Sequence, residues 1–327
     1  MQQAVYDTRG ADPHTRIRCI ERDTPTPGAG EVLIEMIAAP INPSDVLTIT
    51  GQYGALPPLP AIGGNEGVGR VAALGDGVTG VRVGTRVLMP VAAGSWVSHT
   101  VAKAATLMPL PDDGDALQLA MLTVNPPTAS LLLSEFVTLN AGDWVIQNAA
   151  NSAVGEYVIQ LAKARGLHTV NVVRREDMVP VLTALGGDVV LVDGPDLAAR
   201  VAAATNGAKV RLALDAVGGS ATDRLAQSVM VGGTVVNYGG MSGEPCKVAP
   251  GSFVFRNVTL RGFWLAFWFR QATVPQQMAL YADLAQRIAR GELSARVHRT
   301  FPLAQVQEAH RALEGRRTTG KLLIAAR

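Results

Sequence analysis

From Trp144 to Gly240 the chain alternates short apolar, β-branched runs with amphipathic ones, and this alternation limits the fold more than any other feature. "WVIQNA", "HTVNVV", "DVVLVD", "VRLALDAV" and "TVVNYGG" read as strands. "SAVGEYVIQLAKARG", "MVPVLTALGG", "LAARVAAATNG" and "ATDRLAQSVMVGG" read as the helices between them. Apolar strands joined by helices build a parallel sheet that is covered on both faces. In the first of these helices Val154, Val158, Leu161 and Ala162 recur at helical spacing, so one face is buried, and Gly166 is its expected C-terminal stop.

The flanking regions follow a different rule. "EVLIEMIAAPINPSD" and "GVGRVAALGDGVTGVRVGTRVLMPV" are strand-like runs broken by Gly and Pro, which predicts a small barrel-like β domain. After "VTLRGFWLAFWF" the order reads helix, strand, helix, strand, and this last segment is expected to pack on the first domain. A chain of 327 residues is long enough for two such cores. Its 29 basic and 27 acidic residues nearly balance and form no basic block, which argues against a nucleic-acid partner. No run of eighteen apolar residues marks a membrane span. Cys19 and Cys246 lie far apart and outside any C-x-x-C pair, which points away from a structural zinc and towards a reducing compartment. With no signal-like apolar core near Met1, the expected location is cytoplasmic.

Three stretches carry chemistry. "VIQNAANSAVGEYVIQLA" sets small residues between a buried strand and a helix start, where a dinucleotide pyrophosphate meets backbone N–H groups. Ala149, Ser152 and Gly155 stand in place of the usual G-x-G-x-x-G, and the turn alone fits an ordinary strand–helix connection equally well. The next strand ends on Arg174 and Arg175, where an NAD site would hold an acidic residue for the ribose 2′-hydroxyl. Guanidiniums there suit a 2′-phosphate, so NADPH is the expected cofactor. Tyr53 lies in "TGQYGALPPLPAIGGNEGVG", a stretch otherwise made mostly of Gly, Pro and small apolar residues.

Taken together, "INPSD", "GQYG", "GGNEGVG", "VIQNAANSAVG", "VNVVRRE", "YGGM" and "LRGFWL" follow the order and approximate spacing of the 2-enoyl thioester reductases. These are the NADPH-dependent trans-2-enoyl-CoA or enoyl-ACP reductases of the medium-chain dehydrogenase/reductase superfamily, and the chain resembles them over nearly its whole length. The resemblance implies an α/β fold: a GroES-like, β-rich catalytic domain over residues 1–122 and 267–327, with a Rossmann, doubly wound parallel-sheet domain inserted at 123–266. It places the catalytic tyrosine at Tyr53. Cofactor contacts fall on Asn125, on Asn151, Ser152, Ala153 and Val154, and on Arg174 and Arg175, the first of the two arginines being the firmer. Further contacts fall on Tyr238, Gly239, Gly240 and Met241, on Phe263, Trp264, Leu265 and Ala266, and on Lys321. A homodimer joined through the edge around "FRNVTLRGF" is also implied, with an acyl thioester substrate carried by CoA or by acyl carrier protein.

Zinc-dependent relatives show Gly-His-Glu where this chain reads Gly64-Asn65-Glu66, an amide in place of a zinc ligand. His14, His99, His168, His298 and His310 show no ligand spacing, so no metal site is expected. The implied reaction is reduction of the C2=C3 bond of a 2-enoyl thioester, with hydride added at Cβ and a proton from Tyr53 at Cα, since a phenol holds its proton at neutral pH. Two other readings stay open: an NADPH-dependent quinone or enone reductase, and a non-catalytic NADPH-binding protein. Arg256, Arg261, Arg270, Arg316 and Arg317 are candidate cations for carrier phosphates, with a solvated face as the default reading of each, and Trp96 is a candidate wall for an acyl pocket.

Overall fold

The computed structural model describes residues 1–314 and 318–325. Arg316 and Arg317 lie outside the described residues. The chain divides into two compact units, Met1–Val124 with Tyr281–Arg327, and Asn125–Leu280.

In the first unit β1 (Gln2–Tyr6) pairs antiparallel with β2 (Ile17–Glu21), and β3 (Glu31–Pro40) is the long central strand. β4 (Ala61–Ile62) adds to β1, while β5 (Val68–Leu74), β6 (Arg86–Leu88) and β7 (His99–Lys103) build outwards from β3. Val32, Ile34 and Met36 point inwards from β3 at a period of two, the spacing that lines one face of a strand. Two glycines are required here by close approach. A Cβ on Gly63 would stand 2.3 Å from the Trp96 ring, and one on Gly64 would stand 2.4 Å from Ser95 Oγ at a φ of +92°. The Trp96 indole is completely buried between these residues and the core, and it donates to Pro40 O at 3.2 Å. Trp96 is therefore a core residue and not the wall of an open pocket, a correction to the sequence expectation: the paired glycines leave the ring space to pack inwards.

The second unit is the parallel sheet that the alternation predicts. β8 (Trp144–Gln147), β9 (His168–Val173), β10 (Val189–Val192), β11 (Val210–Asp215), β12 (Thr234–Asn237) and β13 (Thr259–Gly262) lie in the order β10-β9-β8-β11-β12-β13. Every pairing in it is parallel. Numbered within the unit, this is the 3-2-1-4-5-6 order of the dinucleotide-binding fold, with its direction reversing between β8 and β11. The helix Ala153–Ala164 follows β8, and Gly166, at φ +68°, ends it with its N–H on Lys163 O.

Residues after Tyr281 rejoin the first unit. β14 (Val297–Pro302) and β15 (Lys321–Ala325) are parallel to each other, and β15 pairs antiparallel with β3, extending its sheet. Gln118 fastens the returning segment from both ends of its amide, donating to Ala295 O at 3.0 Å and accepting from Ala295 N at 2.9 Å. Among the described residues no helix is long and apolar enough to cross a membrane.

Candidate active site

In the first unit, "INPSD" folds as the start of the helix Pro43–Thr50, with Asn42 as N-cap. Pro43 suits the first helical position, and the Asp45 carboxylate closes back on Asn42 N at 2.6 Å, an arrangement in which the helix-entry N–H groups find acceptors. The helix stops at Gly51, whose φ of +85° favours glycine. Leu47 O then accepts from both Gln52 N, at 2.8 Å, and Tyr53 N, at 3.1 Å. Tyr53 is thus suspended from the last turn of this helix, and it is half-buried.

Beneath the helix lies a group of buried charges that sequence reasoning missed. Asp45, Glu66 and Lys321 are all shut away from solvent. Glu66 Oε1 accepts from Asn42 Nδ2 at 2.7 Å, while its Oε2 accepts from Thr123 N, Thr123 Oγ1 and Val124 N at 2.9, 2.8 and 3.0 Å. The Lys321 ammonium donates to Ile41 O at 3.1 Å and to Asn42 Oδ1. Asn65, the residue in the place of the zinc-ligating histidine, gives its amide N–H to Asp45 Oδ1 at 2.7 Å. Burial pushes the Asp45 carboxyl up to about 7, with the Glu66 charge adding to the rise and the Asn42 N–H and Lys321 opposing it. Burial likewise raises Glu66 and lowers Lys321, each partly offset by the opposite charge of the other. Two signals for this cluster were present in sequence: Asn42 and Asp45 stand at capping-box spacing, and Lys321 opens an apolar strand.

Lys321, implied as a cofactor contact, therefore sits in this first-unit cluster. The other implied contacts lie in the second unit and, Asn125 apart, follow the carboxyl ends of its strands. After β8 the chain turns through Ala149 in a left-handed conformation, φ +48°, and Ser152 caps the next helix by accepting from Gly155 N at 3.2 Å. Gly155 has no room for a side chain: a Cβ would lie 2.4 Å from Ala150 O and 2.7 Å from Ala150 C. The first-turn N–H groups of Ala153 and Val154 have no carbonyl to meet within the helix, and they open at the strand ends where phosphate is held in such folds. Arg174 follows the last residue of β9 and is exposed, while Arg175 bridges to Asp177 at 3.1 Å.

Asp215, at the end of β11, gathers the loops of this rim. Its Oδ1 accepts from Asn148 Nδ2, Val217 N and Gly218 N at 2.7, 3.0 and 3.1 Å. Its Oδ2 accepts from Thr222 Oγ1 and Asn237 Nδ2 at 2.7 and 3.0 Å. Asn237 in turn donates to Gly239 O at 2.8 Å, which holds the "YGGM" turn to the same carboxylate. The Tyr238 hydroxyl is enclosed without a partner of ordinary hydrogen-bond geometry, and burial, reinforced by the Asp215 charge, pushes the phenol above its usual value. A Cβ on Gly239 would meet Ala216 O at 2.8 Å, whereas Gly240 faces open space and Met241 is exposed.

Phe263 hydrogen-bonds through its N–H to Asn237 O at 2.8 Å and sets its ring edge-on to Phe136, with centroids 5.7 Å apart. Trp264 caps the short helix Leu265–Gln271, which Leu265 and Ala266 begin. Asn125 opens the helix Asn125–Leu132 and is buried. These features fit NADPH: a glycine with no space for a methyl group, a helix start, an enclosed phenol, and an exposed guanidinium beyond β9. Of the arginines considered for carrier phosphates, Arg256 is engaged elsewhere, because its guanidinium holds the carbonyls of Ala226, at 2.9 Å, and Val229. Arg261 lies over Phe136 at 5.0 Å, and Arg270 over Trp264 at 5.2 Å.

The matches to known proteins follow the same two-part plan. Residues 28–112 match the alcohol dehydrogenase GroES-like domain, and residues 185–324 match the zinc-binding dehydrogenase family. The mitochondrial enoyl-acyl-carrier-protein reductase of Rattus norvegicus is 39% identical over 314 residues, 93% of this chain and 83% of the rat protein. Its Xenopus tropicalis counterpart is 40% identical over 302 residues, 88% of this chain and 85% of that protein. Among solved structures, a putative NADPH:quinone reductase from Bacillus thuringiensis has a TM-score of 0.89 at 28% identity, covering 100% of this chain and 99% of its own. A mitochondrial 2-enoyl thioester reductase heterodimer from Candida tropicalis has a TM-score of 0.88 at 25% identity, covering 99% of both chains. With a relative this similar along nearly its full length, the chain belongs to the enoyl thioester reductase family of the medium-chain dehydrogenase/reductase superfamily.

Proposed function

We propose that this protein reduces the C2=C3 double bond of 2-enoyl thioesters with NADPH, and that Tyr53 supplies the proton. The observation that carries the reading is the pairing of Asn65 with Asp45, in the first turn of the helix from whose last turn Tyr53 is suspended. In the loop where zinc-dependent relatives place an imidazole, this chain has an amide already committed to a carboxylate, and a phenol is fixed close by in sequence. Among the described residues no three His, Cys, Asp or Glu side chains converge as a metal site would require. A conjugated thioester suits such a site, because the thioester carbonyl itself draws off the charge that a Lewis acid would otherwise stabilise.

When bound, NADPH supplies the hydride that adds at Cβ. The roles of the chain's residues follow from their chemistry. The first turn of the helix Ala153–Ala164 receives the pyrophosphate through backbone N–H groups, and Arg174 pairs with the 2′-phosphate. The turn Tyr238–Met241 and the segment Phe263–Ala266 flank the remainder of the cofactor. Charge that develops on the thioester oxygen is met by backbone N–H donors, and Tyr53 protonates Cα. CoA and acyl carrier protein are both candidate carriers. Among the described residues β13 has a partner strand on one side only, and Phe255, shortly before it in sequence, is 84% exposed, which supports a homodimer built on that edge.

Oxidation of NADPH by crotonyl-CoA and longer 2-enoyl-CoA thioesters tests the reading, with NADH and a quinone as comparisons. Thioester turnover should exceed quinone turnover, and Tyr53→Phe should lower kcat by orders of magnitude while NADPH affinity stays the same. The likeness to the Bacillus thuringiensis protein favours quinone as the second reading, and faster quinone turnover would establish it. NADPH binding with no turnover on any of these substrates would point instead to a non-catalytic role.

A further inference from the structure

Asp45, Glu66 and Lys321 have no task in the chemistry described above. If all three are ionised their charges sum to −1, and the surrounding donors divide unequally. Glu66 receives four hydrogen bonds, from Asn42 Nδ2, both donors of Thr123 and Val124 N. Lys321 lies close enough to offset that charge. Asp45 receives Asn42 N and Asn65 Nδ2, one at each oxygen. Glu66 is thus the anion that the fold surrounds with donors, and Asp45 is the group left to exchange a proton.

The place of Asp45 in its helix gives that exchange a consequence. Asp45 is the third residue of Pro43–Thr50 and ties the helix entry to Asn42 N, while Asn65 holds it from the neighbouring loop. At the exit, two turns on, Leu47 O holds the backbone of Gln52 and Tyr53. We infer that Asp45 is a positioning residue for Tyr53: by fixing the entry of this eight-residue helix to Asn42 and Asn65, it fixes the direction in which the phenol is presented. The inference rests on the reading of Tyr53 as proton donor. Both Asp45 oxygens accept in the structure, the arrangement of a carboxylate, and protonation removes one of those acceptors. Since burial brings this carboxyl to about 7, the seating of the helix changes near neutral pH. The ionisable groups around Asp45 are Glu66, Lys321 on β15 and Tyr6 on β1. Tyr6 also responds to Arg9, and Tyr281 responds to Glu66.

The test uses the full chain with Asp45→Ala, Asp45→Asn, Tyr53→Phe and the double variant Asp45→Ala/Tyr53→Phe. Asp45→Ala should lower kcat for crotonyl-CoA by roughly 10- to 100-fold, the range for a misplaced reacting group, with NADPH Kd unchanged. Backbone hydrogen exchange at Gln52 and Tyr53 should quicken in Asp45→Ala, and the double variant should be no slower than Tyr53→Phe alone. Wild-type kcat should rise with pH through about 7 as Asp45 ionises, and Asp45→Asn, the isosteric variant that carries this arm if Asp45→Ala fails to fold, should lose that rise. Wild-type kcat and amide protection in Asp45→Ala, multiplying losses in the double variant, or an unchanged pH profile in Asp45→Asn would each overturn the inference. Full activity of Tyr53→Phe together with faster exchange at Gln52 and Tyr53 in Asp45→Ala would leave the helix seating intact and overturn the donor role itself.

Discussion

Gly155→Ala perturbs the proposed phosphate cradle at the point where the structure leaves least room. The added methyl group would lie 2.4 Å from Ala150 O, and both Ala150 C and Ala150 Cα would be 2.7 Å away. Cβ atoms essentially never come within 3.0 Å of such neighbours, so about 0.6 Å must be found. All three obstructing atoms are backbone, and Ala150 N is tied to Val172 O on β9 at 3.2 Å, so no side chain can swing aside. Overpacking of this kind costs about 1–3 kcal/mol. If the Ala150 loop yields, the cost appears in NADPH binding, roughly a 5- to 150-fold rise in Kd. If the helix yields, the cost appears as a lower urea midpoint. Calorimetric titration with NADPH and urea unfolding followed by circular dichroism separate the two routes. Gly240→Ala is the contrast, because a Cβ there meets nothing within 4 Å, so folding should be unaffected and any loss of affinity reports the approach of the cofactor. An unchanged Kd together with an unchanged midpoint in Gly155→Ala would refute the close-approach reasoning.

Arg174→Ala removes an exposed guanidinium, so NADPH affinity should fall by roughly 10- to 150-fold, the worth of a charge-assisted pair, while NADH affinity barely moves, both read by titration. Asp45 makes stability depend on pH with a definite sign. Its folded value of about 7 lies above the ordinary 3.8 of an aspartate, so its contribution is fully present below 3.8 and is lost as pH rises through about 7. Urea unfolding in steps from pH 4 to 8 should show a decline that Asp45→Asn lacks. Asp215→Ala takes the shared carboxylate from five donors, of which only Asn237 Nδ2 keeps other acceptors, and this should cost several kcal/mol and weaken NADPH binding through the loops it gathers, read by thermal unfolding and titration.

The β-α alternation was legible because each element carries its own signal: apolar runs such as Val170–Val173, helical spacing from Val154 to Ala162, and a glycine at 166 free to turn left-handed. Which strands are neighbours was not legible, because the 3-2-1-4-5-6 order depends on crossovers that local pattern does not record. The same limit explains the misplacements. Trp96 reads as a wall for an acyl pocket until Gly63 and Gly64 are seen to clear a space for it in the core. Arg256 reads as a free cation until the carbonyls of Ala226 and Val229, some thirty residues earlier in the chain, arrive beside it. The Asp45 cluster joins residues up to 280 positions apart, and the capping-box spacing of Asn42 and Asp45 and the lysine that opens an apolar strand were its two local signs.

The division of the first unit into two stretches of chain has a bearing on biosynthesis. Its β3 sheet acquires β15 only when Lys321–Ala325 emerge, whereas the parallel-sheet unit has all of its residues by Leu280. At translation rates of about 5–20 residues per second, the stretch between Val124 and Lys321 takes roughly 10–40 s to make. Through that interval Asp45 and Glu66 have no ammonium beside them, so the interior that surrounds them cannot close in its final form. The parallel-sheet unit is thus complete in sequence before the first unit is, and the final packing around Asp45 and Glu66 waits for Lys321 and the strand it opens.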